Sequence, residues 1–158
     1  IHGITQEQAV KDGVSLFEVL TELLRDVVDV VARGGCLVAH NLEFDACIIY
    51  TEMIRVGMDD QDLCNWTYAV EGGLCTMNPD LAGWCCAEHL REKARAVGDR
   101  YTRSSNPVSL DTLLAVLGID RPQPSHNAGP DSLATWLALA KLHHAVRGGL
   151  DQCYLQAA

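Results

Sequence analysis

A short apolar run between two helical patterns constrains the fold of this 158-residue chain more than any other stretch. The run 36–40 has the length and β-branched content of a buried strand, and Gly34-Gly35 bound it upstream. Asn41 is a favoured helix N-cap, and it predicts a helix over 42–56. The residues predicted to point inward from this helix are Phe44, Ile48 and Ile49. The pattern therefore predicts a strand that leads directly into a helix, as in α/β proteins.

Asp45 lies in or just after the first turn of that helix, beyond the carboxyl end of the strand. Ligands of open α/β sheets bind at this edge, so Asp45 is a candidate functional acid. A second interpretation stays open, because the helix dipole also favours an ordinary solvated acid in a first turn.

Helices outnumber strands in the rest of the chain. Capping-box spacing occurs at Thr5-x-x-Gln8 and at Ser15-x-x-Glu18, where it opens an amphipathic helix. A stretch with clustered acids, 58–73, lacks clean periodicity and is interpreted as a loop. The other predicted elements are helix 16–33, strand 73–77, a helical stretch capped at Asn78-Pro79-Asp80 and running through Arg95, loop 101–107, helix 109–118 and helix 131–146 with apolar residues at Leu133, Trp136, Leu137 and Ala140.

This order of elements predicts an α/β fold with about two strands. Two parallel strands need a crossover connection and are normally covered on both faces. A sheet of only two strands would leave backbone edges unpaired and apolar surface bare. We therefore expect the isolated chain to be marginally stable unless a partner, a further segment or self-association covers that edge.

A second stretch, Ser125–Thr135, places a histidine five residues before an acid. His126 lies on a predicted loop and Asp131 opens the last helix, with Pro130 suited to its first position. Such a pair can supply a general base and a metal ligand side by side. A loop histidine followed by a helix-opening acid explains the same short pattern without any chemistry.

Together, and in this order, the two stretches resemble the DEDD exonucleases of the proofreading-subunit type, in the subgroup with a catalytic histidine. The residues that match the family's second motif are His40, Asn41, Phe44 and Asp45, and those that match its third are His126, Ala128, Asp131, Ala134 and Thr135. Two weaker similarities lie in Ile1–Thr5 and in 108–119, so that the resemblance spans nearly the whole chain.

The resemblance implies a ribonuclease H-like three-layer exonuclease fold, with 1–149 as a partial exonuclease domain and 150–158 as a tail. It also implies hydrolysis of phosphodiester bonds at the 3′ ends of single-stranded or frayed DNA or RNA, with two Mg²⁺ or Mn²⁺ ions. The site residues that it implies are Asp45 and Asp131 as metal ligands, His126 as general base, and Ile1, His2, Asn41 and Phe44 near the terminal nucleotide.

One part of the family's pattern has no match. The first motif, Asp-x-Glu on the first strand, supplies two of the four metal-binding carboxylates, and nothing in this sequence corresponds to it. The sequence is therefore interpreted as an N-terminally truncated piece of a larger domain, with little or no activity by itself. The alternative is a non-catalytic exonuclease-like module that binds protein or nucleic acid.

The net charge of −9 argues against a protein that grips long duplexes through their phosphates. It is compatible with capture of one strand end, because divalent ions can supply positive charge locally. Basic residues do crowd one segment, which is either a solvated helix face or a flank for substrate phosphates: Arg91, Lys93, Arg95, Arg100 and Arg103.

The seven cysteines include no CxxC pair, which favours small buried thiols in a reducing compartment over a disulfide framework. Cys36 and Cys47 are expected to point inward. A zinc site at Cys85, Cys86 and His89 is conceivable, although adjacent cysteines rarely ligate one ion together. Reduced thiols favour an intracellular protein, cytoplasmic or nuclear. Apolar runs fall far short of the ~20 residues of a membrane span.

Overall fold

The computed structural model describes residues 3–77, 92, 96, 108–124 and 127–147. They form a helix-rich α/β chain with a small parallel sheet, which confirms the predicted class. The chain divides into two compact units, taken here in their described residues. Unit 1 comprises Ile1–Leu37 and Leu42–Leu74, and unit 2 comprises Val38–Asn41 and Cys75–Ala158.

The described elements follow the predicted order with two additional helices, Gln6–Asp12 and Asp60–Glu71. The helices are α1 (Gln6–Asp12), α2 (Leu16–Ala32), α3 (Leu42–Val56), α4 (Asp60–Glu71), α5 (Leu110–Val116) and α6 (Ala128–Arg147), and the strands are β1 (Val38–Ala39) and β2 (Leu74–Cys75). The predicted helices 16–33 and 42–56 are confirmed within one residue.

The core of unit 1 is formed by α2, α3 and α4. Each of these three helices packs against the other two. Their shared buried residues are Leu20, Leu24, Val27, Ala46, Met53, Met58, Trp66 and Ala69. Leu20, Leu24 and Val27 are spaced four and then three residues apart, which places them on one face of an α-helix.

The prediction of a loop over 58–73 is wrong, because most of that stretch forms α4. Asp59 is its N-cap, and the Asp59 carboxylate accepts from the backbone N–H of Asp62 at 2.9 Å. Acids that suggest a solvated loop therefore serve as the cap and first turn of a helix, where the dipole favours negative charge. Trp66 and Ala69 then bury one face of that helix.

The predicted inward face of α3 is also wrong in part. Phe44 is 59% exposed and Ile48 is 48% exposed, whereas Ile49 is half-buried as expected. The buried residues are Leu42, Ala46 and Met53, which define a stripe on a different side of the helix. Cys36 and Cys47 are exposed free thiols, so their predicted burial is wrong as well.

The two strands pair in parallel. The backbone N–H of Leu74 donates to the carbonyl of Leu37 at 2.8 Å, and that of Thr76 donates to Ala39 at 2.9 Å. Both strands are shorter than the predicted 36–40 and 73–77. A Cβ on Gly73 would lie 3.1 Å from the carbonyl oxygen of Leu37, so a glycine there allows the close approach of the two segments.

The core of unit 2 is formed by α5 and α6, and α6 also contacts β1. Its buried residues are Val108, Leu113, Leu114, Leu117, Ala134, Ala138 and Leu142. The ammonium group of Lys141 donates to the carbonyl of Leu117 at the end of α5, which ties the two helices together. The α5 prediction is confirmed, including the stop at Gly118, whose φ of 62° favours glycine.

Helix α6 begins three residues before the predicted 131 and buries a different face. Leu133 and Trp136, predicted as part of its apolar face, are 49% and 62% exposed. The buried face consists of Ala134, Thr135, Ala138 and Leu142. Three of these four side chains are small, and small side chains let neighbouring backbones approach closely.

The Ser109 cap of α5 gives a stability prediction with a matched control. Its hydroxyl accepts from the backbone N–H of Thr112 at 3.2 Å, whereas Ser15, the N-cap of α2, makes no capping hydrogen bond. We expect Ser109→Ala to lower the free energy of unfolding by about 1 kcal/mol in urea denaturation. Ser15→Ala should be nearly neutral, and equal costs for the two variants would contradict the assignment.

Some predictions fall outside the described residues, namely the helical stretch through Arg95, the loop 101–107, the basic segment and the zinc set Cys85, Cys86 and His89. Within the described part of the chain, Cys64 and Cys75 are free thiols like Cys36 and Cys47. No helix in that part combines the length and the apolar character that crossing a membrane requires.

Candidate functional site

Asp131 lies in the first turn of α6, as predicted, and belongs to unit 2. Its backbone N–H donates to the carbonyl of Asn127 at 2.9 Å, which fixes the start of the helix. Its side chain is 31% exposed, and Oδ1 accepts from Nη2 of Arg121 at 2.6 Å. The short contact indicates a charge-assisted hydrogen bond to an ionised carboxylate.

Arg121 is a site residue that sequence analysis did not identify. Its guanidinium is 15% exposed and bridges Asp131 to Asp111, which lies in the first turn of α5. Burial opposes the charge on Arg121, but the two acids outweigh burial and raise its pKa. No local sequence signal marks it, since each of the two acids stands ten residues away.

His40, which follows β1, lies in the same unit as Arg121. Its Nδ1 lies 3.1 Å from Oγ1 of the fully buried Thr76. Its Nε2 is buried and makes no hydrogen bond of normal geometry. The backbone of Val108 is nevertheless close enough to favour the protonated imidazole, which raises the pKa of His40. Burial is the larger effect and lowers the pKa of His40 to about 4, so the imidazole is neutral at pH 7.

Asp45 lies in the first turn of α3, where the sequence predicted it, and belongs to unit 1. The residue as a whole is exposed, but partial desolvation of its carboxyl group raises its pKa above the ordinary value. Because Asp45 and Asp131 fall in separate units, the convergence of their carboxylates stays a prediction.

The other predicted site residues have different outcomes. Asn41 has a φ of 78°, which differs from the extended backbone typical of the predicted N-cap. Asparagine is one of the few residues that tolerate this left-handed conformation. Phe44 is exposed and available to a ligand. Ile1, His2 and His126 lie outside the described residues.

The chemistry of the two acids suits a hard divalent cation, because Mg²⁺ and Mn²⁺ prefer carboxylate oxygens. The carboxylate of Asp131 already contacts a positively charged group, the guanidinium of Arg121. Within the ranges that the structure describes, no three His, Cys, Asp or Glu side chains cluster as a metal site. Asp131 therefore fits as one ligand of an ion that needs further donors.

No family model matches this sequence, and neither a curated protein nor a solved structure matches it. The resemblance to the DEDD exonucleases therefore depends on the two motifs and their order alone.

Proposed function

We propose that this chain is part of a metal-dependent 3′–5′ exonuclease with a ribonuclease H-like fold. The observation that carries the proposal is the environment of Asp131, which is half-buried and paired with a cationic side chain in the first turn of a helix. A solvated acid that merely complements the helix dipole would have no need of a buried cationic partner. The position follows directly on the His126 segment, as the exonuclease motif requires.

Each residue then has a chemical role. Asp131 and Asp45 would hold the divalent ions, and the ions would supply the positive charge needed for water activation and for the leaving oxygen. His126 would accept the proton from the attacking water, a role that suits an imidazole near neutral pH. Ile1, His2, Asn41 and Phe44 would contact the terminal nucleotide. The product would be a nucleoside 5′-monophosphate released from a 3′ end.

The net charge of the chain favours a substrate that binds through divalent ions. With a net charge of −9, the protein as a whole repels nucleic acid. Binding of a strand end would therefore depend on the divalent cation, and a single-stranded DNA or RNA end is the substrate we propose.

The binding step is testable on the chain itself. We expect a fluorescent single-stranded oligonucleotide to bind in the presence of Mn²⁺ and to dissociate on addition of EDTA. Asp131→Asn should remove the Mn²⁺-dependent binding, because it removes the charge that holds the ion. Asp26→Asn is the control, since Asp26 is a 72% exposed acid on α2. Binding that EDTA and Asp131→Asn leave unchanged would contradict the proposal.

The hydrolytic step needs the Asp-x-Glu pair, and we expect little activity from this chain without it. In a polypeptide that supplies the pair, His126→Ala should reduce turnover by about 10²-fold or more, the usual contribution of a general base. The measurement is the shortening of a 5′-labelled oligonucleotide from its 3′ end with Mn²⁺, together with the release of nucleoside 5′-monophosphates. Full activity of the His126→Ala variant would remove this residue from the mechanism.

The alternative function is a non-catalytic binding module, and one feature of unit 1 favours it. An apolar pocket of about 330 Å³ opens between α3 and α4, lined by residues that include Cys47, Tyr50, Trp66 and Val70. The exposed Phe44 lies on the same helix, α3. A module of this kind would bind its partner in EDTA as well as in Mn²⁺, so the oligonucleotide experiment separates the two functions.

A further inference from the structure

We infer that Arg121 is an internal counter-cation that competes with the divalent ion for the carboxylate of Asp131. The inference rests on the proposed function and adds a control element to the same site. In the ion-free protein, Arg121 is a positioning residue that keeps Asp131 charged and oriented. When a divalent ion is present, Arg121 inhibits its binding.

The contact itself supplies the competition. The Arg121 guanidinium lies 2.6 Å from Oδ1 of Asp131, within a side chain that is only 15% exposed. A divalent ion and a guanidinium cannot both occupy the same carboxylate oxygen, because their charges repel and their contact distances overlap. Ion binding at Oδ1 of Asp131 therefore requires Arg121 to move away.

Asp111 makes that movement possible. Arg121 donates through Nη1 to Asp111 and through Nη2 to Asp131, so each acid has its own nitrogen. When Asp131 is taken over by an ion, the ion pair with Asp111 still holds the guanidinium through Nη1. This remaining ion pair lowers the cost of separating the buried charge from Asp131, although Nε of Arg121 is buried without a hydrogen bond. Asp111 is 67% exposed, so it has room to follow the arginine.

The scaffold around the three residues is fixed. Asp111 and Asp131 lie in the first turns of α5 and α6, and these helices pack on each other through the core of unit 2. The hydrogen bond from Lys141 to Leu117 ties them at a second place. Side-chain movement of Arg121 between two fixed acids is therefore sufficient for the change, and no helix has to shift.

The test measures Mn²⁺ affinity rather than activity. Mn²⁺ alone is titrated into the purified chain, and paramagnetic broadening of the backbone amide signals of residues 131–135 reports binding at Asp131. Arg121→Gln removes the competitor, and we expect affinity to rise about tenfold or more, the scale of one charge-assisted hydrogen bond. Asp111→Asn removes the alternative partner, so Arg121 holds Asp131 more firmly and affinity should fall by a factor of about two or more.

Two further variants make the result decisive. Arg121→Lys keeps the charge with a shorter, single-point contact, and its affinity should lie between those of the wild type and Arg121→Gln. Arg121→Lys and Asp111→Asn retain most of the ion pairs among residues 111, 121 and 131. These two variants therefore test the inference even if Arg121→Gln fails to fold. Asp131→Asn should abolish the broadening, while signals near Asp26 on α2 serve as a reference for nonspecific binding.

The outcomes separate the inference from the proposed function. Broadening that persists in Asp131→Asn, or is absent in the wild type, overturns both. Broadening that depends on Asp131 but is unchanged or weakened in Arg121→Gln overturns the counter-cation role alone. Opposite shifts in Arg121→Gln and Asp111→Asn support it, because loss of a merely structural contact would weaken binding in both.

Discussion

Acidification from pH 7 to pH 4 is expected to lower the free energy of unfolding by about 3 kcal/mol through His40 alone. The pKa of His40 is about 4 in the folded chain, against 6.5 for the exposed side chain. The unfolded state therefore binds more protons between these two values, so stability falls as the pH drops through that interval. Well above pH 6.5 the imidazole is neutral in both states, and its contribution no longer changes.

The cause of the shift is mainly burial, which penalises the charged imidazolium. Among the charged neighbours, Arg121 also lowers the pKa of His40, while Asp111 raises it, as does the backbone of Val108. Because burial is the largest cause, we expect Thr76→Val to leave the pKa of His40 depressed, although the variant loses a buried hydrogen bond.

Two measurements check this expectation. An NMR titration of the His40 ring should give a pKa near 4, and urea denaturation at pH 7, 5.5 and 4 should follow the predicted loss. In His40→Gln, which cannot take up the proton, the part of the pH dependence between 6.5 and 4 should be smaller by about 3 kcal/mol. A His40 ring that titrates near 6.5 would show that its environment is hydrated.

Replacing Trp66 by alanine is expected to lower the free energy of unfolding by about 3–5 kcal/mol, the usual cost of removing a large aromatic side chain from a core. Trp66 is 2% exposed and lies in the core shared by α2, α3 and α4. Its indole Nε1 donates to the carbonyl of Ala46 at 3.2 Å, so the variant also leaves a backbone acceptor without its partner. No other residue of α4 combines such burial with a side-chain hydrogen bond to α3.

Tyr68 provides the matched control, because it is an aromatic residue on the same helix and is 69% exposed. Tyr68→Ala should change the stability by less than about 0.5 kcal/mol. Chemical denaturation followed by far-UV circular dichroism measures both variants. Similar small effects in the two would mean that 60–71 behaves as the solvated loop that its acids first suggested.

The helix boundaries were largely predictable from sequence because their signals are local. The bounds of α2 and α3 follow from apolar periodicity and from glycines that stop each helix. The positions of the two strands were predictable, but their lengths were not. The length of a paired strand depends on how far the neighbouring segment runs alongside it. Helix α4 was missed because clustered acids are typical of loops as well as of first turns.

The buried faces were predicted less well. In α3 and α6 the chain carries more large apolar residues than the contacts can bury, so periodicity alone does not determine which side packs. Phe44 and Trp136 were predicted inside and are exposed, while Ala46, Ala134 and Ala138 fill the contacts instead. Close helix packing selects small side chains, and that selection depends on the approach of a neighbour that is distant in sequence.

In the candidate site, too, some features were predictable from the sequence and others were not. The placement of Asp45 and Asp131 in first turns was predicted from motif spacing and helix-start signals. The involvement of Arg121 was not predictable, because an arginine on an irregular segment has no local signature of the acids it will meet. Its two partners come together only when α5 packs on α6.

The segments of the two units alternate along the chain, and this limits which fragments of the protein contain a whole unit. Residues Val38–Asn41 belong to unit 2, although the segments on both sides of them belong to unit 1. A fragment that stops at Leu74 would contain β1 but only the first residue of β2, and one that starts at Cys75 would lack β1 altogether. Neither unit can therefore be produced as an uninterrupted stretch of this sequence.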